Sequence, residues 1–116
     1  MISGGSAANT IVGISSFGGK SAFIGKVRDD AHGQAFAHDI RAAGVTFTTP
    51  KATEGRATAQ CLIFITPDGE RTMNTYLGSC QTLSVADIDP ALVEASSVTY
   101  LEGYLWDPPE AKLAFR

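Results

Sequence analysis

Helix-like and strand-like segments alternate from Gly4 onward, and this alternation restricts the fold more than any other feature of the sequence. The pair Gly4-Gly5 leads into an amphipathic segment, which is followed by a nearly continuous apolar run and then by a second helix. An apolar run of this kind is typical of a strand that is covered on both faces. We predict helices at 7–17 and 31–43, with strands at 21–27 and 45–48. This order predicts an α/β fold with parallel strands.

A different pattern begins in the middle of the chain. Residues 57–66 and 71–77 are strand-like, and Pro67-Asp68-Gly69-Glu70 between them is a strong turn signal. They predict an antiparallel hairpin inserted into the α/β chain, as is typical of a lid or an interface. After the hairpin we expect a helix at 84–95 interrupted near Pro90, a strand at 97–101, and a last helix beginning at Pro108 and Pro109.

Composition excludes several classes of protein. The 116 residues, 44% of them apolar, suffice for one domain or a piece of a larger one. A net charge of −3 without a basic run argues against nucleic acid and anionic membranes as partners. No apolar run approaches the roughly 20 residues of a membrane span. Cys61 and Cys80 lack metal-ligand spacing, so we expect no metal site and read them as free thiols in the cytoplasm, with a disulfide as the alternative.

The start of the first helix is the first candidate site. Gly4 and Gly5 would let backbone N–H groups approach a ligand, Ser6 is the expected N-cap, and Asn9 can donate and accept hydrogen bonds. The alternative is a tight turn that only feeds a helix. The spacing matches neither the dinucleotide fingerprint nor the phosphate-binding P-loop.

Two later residues are weaker candidates. Arg71 follows the hairpin turn, where it is either a solvated side chain or a cation that reaches a bound phosphate. Tyr104 follows the predicted strand at 97–101, at the edge where open α/β sheets bind ligands, and could equally belong to the core.

Taken together, these segments resemble a known family. The sequence GGSAAN from Gly4, the sequence FIGKVRDDAHG ending at Gly33, and the hairpin sequence PDGERTMNTYLGSC from Pro67 look like the N-terminal half of the ribokinase-like carbohydrate kinases, the PfkB family. The segment Leu77-Gly78-Ser79-Cys80, which leads from the hairpin back to the main domain, is most similar to the adenosine kinase branch of the family. The segment Leu101-Glu102-Gly103-Tyr104 resembles the strand end that borders the substrate pocket in that family.

The resemblance implies a fold and a place for this chain within it. We expect a three-layer α/β/α domain with a parallel sheet and a small β-rich lid at about 45–80. Residues 1–116 would be part of that domain, without its N-terminal strand and its C-terminal ATP-binding part. A homodimer formed through the lid would fit the same family.

The resemblance also implies an activity and a set of site residues. It predicts transfer of a phosphoryl group from ATP to the hydroxymethyl group of a sugar or nucleoside, with ATP and Mg²⁺ held mainly outside this chain. The catalytic base is expected downstream, so none is assigned here. The expected substrate-binding residues are Gly4, Gly5, Ser6, Asn9, Met73 and Tyr104, with Arg71 near the transferred phosphate.

Two interpretations of the function remain open at this point. In the first, the chain is an internal piece of a sugar or nucleoside kinase and is inactive alone; the apolar lid residues around Met73 favour a nucleoside. In the second, the chain is a non-catalytic α/β module that binds a ligand or dimerises through the hairpin. A continuation of the reading frame into a Gly-Ala-Gly-Asp segment would favour the kinase, and a stop after Arg116 would favour the module.

Overall fold

The computed structural model describes all residues from 1 to 116, and its longest helices lie in the first half of the chain. The elements are helices α1 (Ser6–Ser16), α2 (Ala31–Ala42), α3 (Pro90–Glu94) and α4 (Pro109–Ala114), strands β1 (Gln60–Ile65) and β2 (Arg71–Tyr76), and three 3-10 turns at Gly78–Thr82, Val85–Asp87 and Gly103–Leu105. The predicted helices at 7–17 and 31–43 are confirmed to within one residue at each end.

The core lies between α1, α2 and the segments that precede and follow α2. Its buried members are Ala8, Val27, Ala37, Ile40, Val45 and Phe47. Phe23, Phe36 and Phe47 pack around it with ring centroids 5.6 to 5.9 Å apart, in tilted and edge-to-face geometries that suit aromatic rings. The alternation seen in the sequence therefore does produce a helix-covered core.

The segments predicted as strands at 21–27 and 45–48 lie side by side and parallel, but they form only two isolated bridges. Ala22 pairs with Thr46 and Arg28 pairs with Ala52, in one constant register. Between the bridges the ladder is interrupted near Pro50, which has no N–H to donate. The N–H of Gly25 instead donates to the Thr49 hydroxyl at 3.4 Å. Parallel pairing is present, whereas the predicted regular strands are not, and the three-layer arrangement stays a prediction.

The hairpin predicted from the turn sequence is confirmed. Strands β1 and β2 pair antiparallel, with Gln60 opposite Tyr76 and Ile65 opposite Arg71, and they form the one regular sheet of the chain. Gly69 ends the turn with a φ of 87°, which favours glycine. All twelve strand residues are exposed, on both faces of the hairpin. The predicted lid limits of about 45–80 remain a prediction.

The last third of the chain differs most from expectation. The helix predicted at 84–95 is a single 3-10 turn at Val85–Asp87 followed by α3, because Asp89 is extended before Pro90 and caps α3 from there. The strand predicted at 97–101 is absent, since this segment has no neighbour to pair with. The last helix is confirmed as α4, with Pro108 as its N-cap. None of the helices is long and apolar enough to cross a membrane.

Candidate functional site

The start of α1 carries no capping side chain. Gly5 is the N-cap, with a φ of 115° that favours glycine, so the prediction of Ser6 as the cap is wrong; Ser6 is the first helical residue. The non-helical cap conformation falls on Gly5, one residue before Ser6, so the serine lies within the first turn of the helix and does not cap it. The N–H of Asn9 donates to the Gly5 carbonyl at 2.8 Å. The N–H groups of the first turn ahead of Asn9 therefore face outward without a side-chain acceptor, and they carry the positive end of the helix dipole.

The Asn9 side chain folds back beside Gly4. A Cβ placed on Gly4 would lie 3.8 Å from Asn9 Oδ1 and 4.0 Å from Nδ2, which is ordinary contact distance. The amide makes no hydrogen bond within the chain and is exposed. Gly4, Gly5 and Asn9 thus form one small polar surface with free donors and a free acceptor.

Glu102 closes this surface from the far end of the sequence. Its Oε1 accepts a hydrogen bond from the Ser6 hydroxyl at 2.6 Å and another from the Tyr100 hydroxyl at 3.0 Å. The hydrogen bond to Glu102, and repulsion from its carboxylate, raise the pKa of Tyr100 because the neutral phenol is the form that donates. Glu102 Oε2 makes no hydrogen bond within the chain, so it is free to accept one from a ligand.

Sequence reasoning did not assign Glu102 to the site. It lies 96 residues from Ser6, and a single carboxylate in an apolar segment carries no spacing signal. Two signals were available: its place at the end of the segment predicted as a strand at 97–101, an edge where ligands bind in α/β folds, and the resemblance of Leu101–Tyr104 to a strand end that borders a substrate pocket.

The remaining predicted site residues lie apart from α1. Tyr104 is in the 3-10 turn Gly103–Leu105, directly after Glu102, and is 74% exposed. Met73 and Arg71 lie on β2, where Met73 is 61% exposed and the Arg71 side chain has no hydrogen bond or ion pair. The structure therefore places Glu102 at the start of α1, beside the predicted residues Gly4, Gly5, Ser6 and Asn9. No hydrogen bond joins Arg71 or Met73 of the hairpin to these residues.

Chemically, this surface suits a neutral polyhydroxylated ligand. It offers backbone N–H groups, one amide and one carboxylate oxygen, which together can both donate to and accept from hydroxyl groups. It holds no histidine and no cysteine, and no group of three or more acidic, histidine or cysteine side chains in the chain could bind a metal ion. Two surface clefts lie elsewhere, beside α2 and around Pro50, and neither is lined by a predicted site residue.

The fold is an α/β core with parallel pairing and an inserted antiparallel hairpin. Residues 1–114 match the family described as pfkB family carbohydrate kinase. The chain therefore belongs to the pfkB family of carbohydrate kinases.

Individual proteins similar to this chain also carry the names of sugar or nucleoside kinases. The chain is 31% identical over 97 residues to fructokinase-2 of Solanum lycopersicum, which covers 82% of this chain and 30% of that protein. Among solved structures, adenosine kinase from Sinorhizobium meliloti is 55% identical with a TM-score of 0.89, over 96% of this chain and 34% of that one. A probable sugar kinase from Rhizobium etli CFN 42 is 51% identical with a TM-score of 0.90, over the same fractions.

These matches also fix how much of a relative the chain represents. It spans about a third of the length of the proteins that it matches. The family is thereby established for residues 1–114, whereas the activity of a whole protein is a matter for proposal.

Proposed function

We propose that the chain is part of an ATP-dependent kinase that phosphorylates the hydroxymethyl group of a sugar or nucleoside. The observation that carries this proposal is the polar surface at the start of α1, closed by Glu102, in a chain of the pfkB family. Catalysis of phosphoryl transfer depends mainly on positioning and on stabilising charge, so a surface that fixes the acceptor is a central part of such an enzyme.

In this proposal the α1 surface holds the acceptor rather than the phosphates. Asn9 and the free Oε2 of Glu102 would bind adjacent hydroxyl groups, while Gly4 and Gly5 keep the backbone accessible to them. The Ser6 hydroxyl donates to Glu102 and so keeps that carboxylate pointed at the surface. Ser6 would therefore act partly by orienting Glu102 and partly as a hydrogen-bond acceptor.

The hairpin would serve as the lid. Arg71 has no partner in the chain, which leaves its guanidinium free to approach a transferred phosphate. Met73 lies on the same hairpin face as Arg71, opposite Ile63, and supplies apolar contact area for a base. Tyr104, exposed beside Glu102, would line the other side of the acceptor.

ATP and Mg²⁺ are the cofactors that the family implies. Mg²⁺ that is bound together with a nucleotide takes one or two protein carboxylates besides the phosphates, and this chain has no group of three acidic, histidine or cysteine side chains that could hold a metal ion by itself. We therefore assign no step of the reaction to them, and we propose that ATP, its metal ion and the catalytic base are bound outside these 116 residues. The isolated chain should accordingly show no ATP turnover, and its expected place in the cytoplasm remains a prediction.

A nucleoside is our preferred acceptor class. The relative that is 55% identical is named adenosine kinase, whereas the relative that is 31% identical is named fructokinase. The apolar side chains on the hairpin, with Met73 and Ile63 side by side, also suit a flat base better than a bare sugar.

The test is phosphate transfer by the protein expressed from the complete reading frame that contains these residues. We expect ATP-dependent phosphorylation of adenosine with a higher kcat/KM than that of fructose or ribose. The variant Glu102→Gln should raise KM for the acceptor more than it lowers kcat. Absence of transfer to all three acceptors would overturn the proposed function, and a preference for fructose would overturn only the choice of acceptor.

The exposed hairpin supports a second role, self-association. Leu62, Phe64 and Tyr76 share one face of the hairpin, and each is about half exposed or more. Contiguous apolar surface of this kind marks an interface in soluble proteins. We propose a homodimer through this face. Sedimentation analysis should show a Phe64→Ser variant dissociating at concentrations at which Thr75→Ser, on the other face of the hairpin, does not, and equal behaviour of the two would refute it.

A further inference from the structure

The hairpin leaves and re-enters the body of the molecule through two short crossings, at residues 57–59 and 77–79. The crossings differ sharply in burial from the strands that they carry. Thr58 and Ser79 are buried, and Ser79 is only 1% exposed, whereas every residue of β1 and β2 is exposed. The hairpin is therefore fixed at its base and unsupported beyond it.

The outgoing crossing is bound by the cap of α2. The Thr58 N–H donates to Asp30 Oδ2 at 3.0 Å, and the Thr58 hydroxyl donates to Asp30 Oδ1 at 2.7 Å. Asp30 Oδ1 also accepts the N–H of Gly33 at 2.8 Å, which is the N-cap contact of α2. The Thr58 hydroxyl in turn accepts the Arg28 N–H at 3.0 Å. One carboxylate thus holds both the start of a helix and the base of the hairpin.

The returning crossing is bound to the outgoing one and to the body. The Ser79 N–H donates to the Ala57 carbonyl at 2.8 Å, and the Ser79 hydroxyl donates to the Lys26 carbonyl at 3.3 Å. Gly78 has a φ of 53°, and a Cβ there would lie 2.2 Å from the Ala57 carbonyl oxygen. The two crossings are therefore packed against each other at backbone distance, with no room for a side chain between them.

We propose that Asp30 is a positioning residue that fixes the pivot of the hairpin through Thr58. Movement of the hairpin then occurs beyond this base, at the exposed residues Ala59 and Leu77, while 57–58 and 78–79 move with α2. The assignment of the hairpin as a lid rests on the proposed function, but the fixed base does not. Asp30 touches no substrate in this proposal and acts only through the hairpin.

The test is residue-resolved amide hydrogen exchange on the 116-residue protein. In Asp30→Asn, Oδ1 can still accept from Gly33 and Thr58, and asparagine caps helices as well as aspartate does. Oδ2 is replaced by an NH₂ donor that faces the Thr58 N–H. We expect the amides of Thr58 and Ser79 to exchange about tenfold faster, while the amides of α2 change by less than about twofold.

Matched variants separate the base from general stability. Thr58→Val should reproduce the effect, Thr58→Ser should not, and Thr10→Val, which removes a hydroxyl that bonds within α1, should leave the base unchanged. Unchanged exchange at Thr58 and Ser79 in Asp30→Asn would overturn the proposal. Equally faster amide exchange throughout α1 and α2 would also overturn the proposal, because Asp30 would then stabilise the fold as a whole and not the base of the hairpin in particular. No ATP or acceptor enters this experiment, so its result is independent of the kinase activity.

Discussion

Gly33 occupies the most crowded glycine position in the molecule. A Cβ there would lie 1.9 Å from the Arg28 carbonyl oxygen and 2.9 Å from the Thr58 hydroxyl oxygen. The first of these is a backbone atom and cannot turn aside, so any side chain would push α2 away from the preceding segment.

We expect Gly33→Ala to lower the free energy of unfolding by about 2–3 kcal/mol, as overpacking of a close contact does. Gly13 in α1 is the matched control, since no heavy atom lies within 4 Å of the position that an added methyl group would take. Gly13→Ala should raise the free energy of unfolding by about 0.5–1 kcal/mol, because alanine is the better helix former. Urea denaturation measures both changes, and an unchanged free energy of unfolding in Gly33→Ala would contradict this packing.

Single residues also mark where sequence reasoning reaches its limit. Asp29 and Asp30 both precede α2 and both have a side chain that can cap it, but the choice of Asp30 depends on Thr58, which is 28 residues away. Asp29 is paired with Lys51 instead. Likewise, Ser6 is the better cap by chemistry, yet its hydroxyl is bonded to Glu102. Local propensity predicted the candidates, and contacts distant in sequence selected among them.

Among the elements, the base of the hairpin depends on the charge of Asp30, whose two carboxylate oxygens both accept hydrogen bonds from Thr58. Partial burial opposes ionisation of Asp30, but hydrogen bonds from Thr58 and Gly33 outweigh it and lower the pKa below the usual 3.8. Because the folded-state pKa is the lower one, the stabilisation is fully present above the unfolded pKa. It is lost as pH falls through the folded-state pKa.

We expect the free energy of unfolding of the original chain and that of the variant Asp30→Asn to differ by an amount that depends on pH. The original should be the more stable at about pH 7, and the difference should shrink below about pH 4 as Asp30 becomes protonated. Unfolding followed by circular dichroism across this range measures it. A difference that is constant from neutral pH to about pH 2 would show that the charge of Asp30 contributes nothing.

Elements with a strong local signal were predictable, and those that need a neighbour were not. The turn around Gly69, with the apolar run before it and the strand-like segment after it, predicted β1 and β2 correctly. The apolar segment at 97–101 has equal strand propensity but no adjacent strand, so its backbone stays unpaired. Pro50 interrupts the parallel ladder, an effect that depends on which segment lies opposite.

At the scale of the whole molecule, one ion pair joins the body to the segment after the hairpin. Lys26, between the two parallel bridges, pairs with Asp87, whose side chain is 5% exposed. Asp87 Oδ2 also accepts from the Ser84 N–H and hydroxyl at 3.0 and 3.1 Å. Removing one partner would leave a charge buried without compensation.

We expect Lys26→Met and Asp87→Asn each to lower the free energy of unfolding by about 3 kcal/mol. The double variant should cost less than the two single changes together, with a coupling of about 1–3 kcal/mol, because neither charge is then left alone. A thermodynamic cycle from denaturant unfolding gives this coupling. Strict additivity would mean that the two side chains do not interact in solution.

The proposed function depends most directly on the polar surface formed by Gly4, Gly5, Asn9 and Glu102 at the start of α1. The direct measurement is a titration of the isotope-labelled chain with adenosine, followed by the amide resonances of each residue. We predict saturable shifts at Gly4, Gly5, Asn9 and Glu102, weakened about tenfold in Asn9→Ala and in Glu102→Gln and unchanged in the hairpin control Asn74→Ala. Shifts confined to other residues, no shifts at all, or equal binding by all three variants would contradict the account.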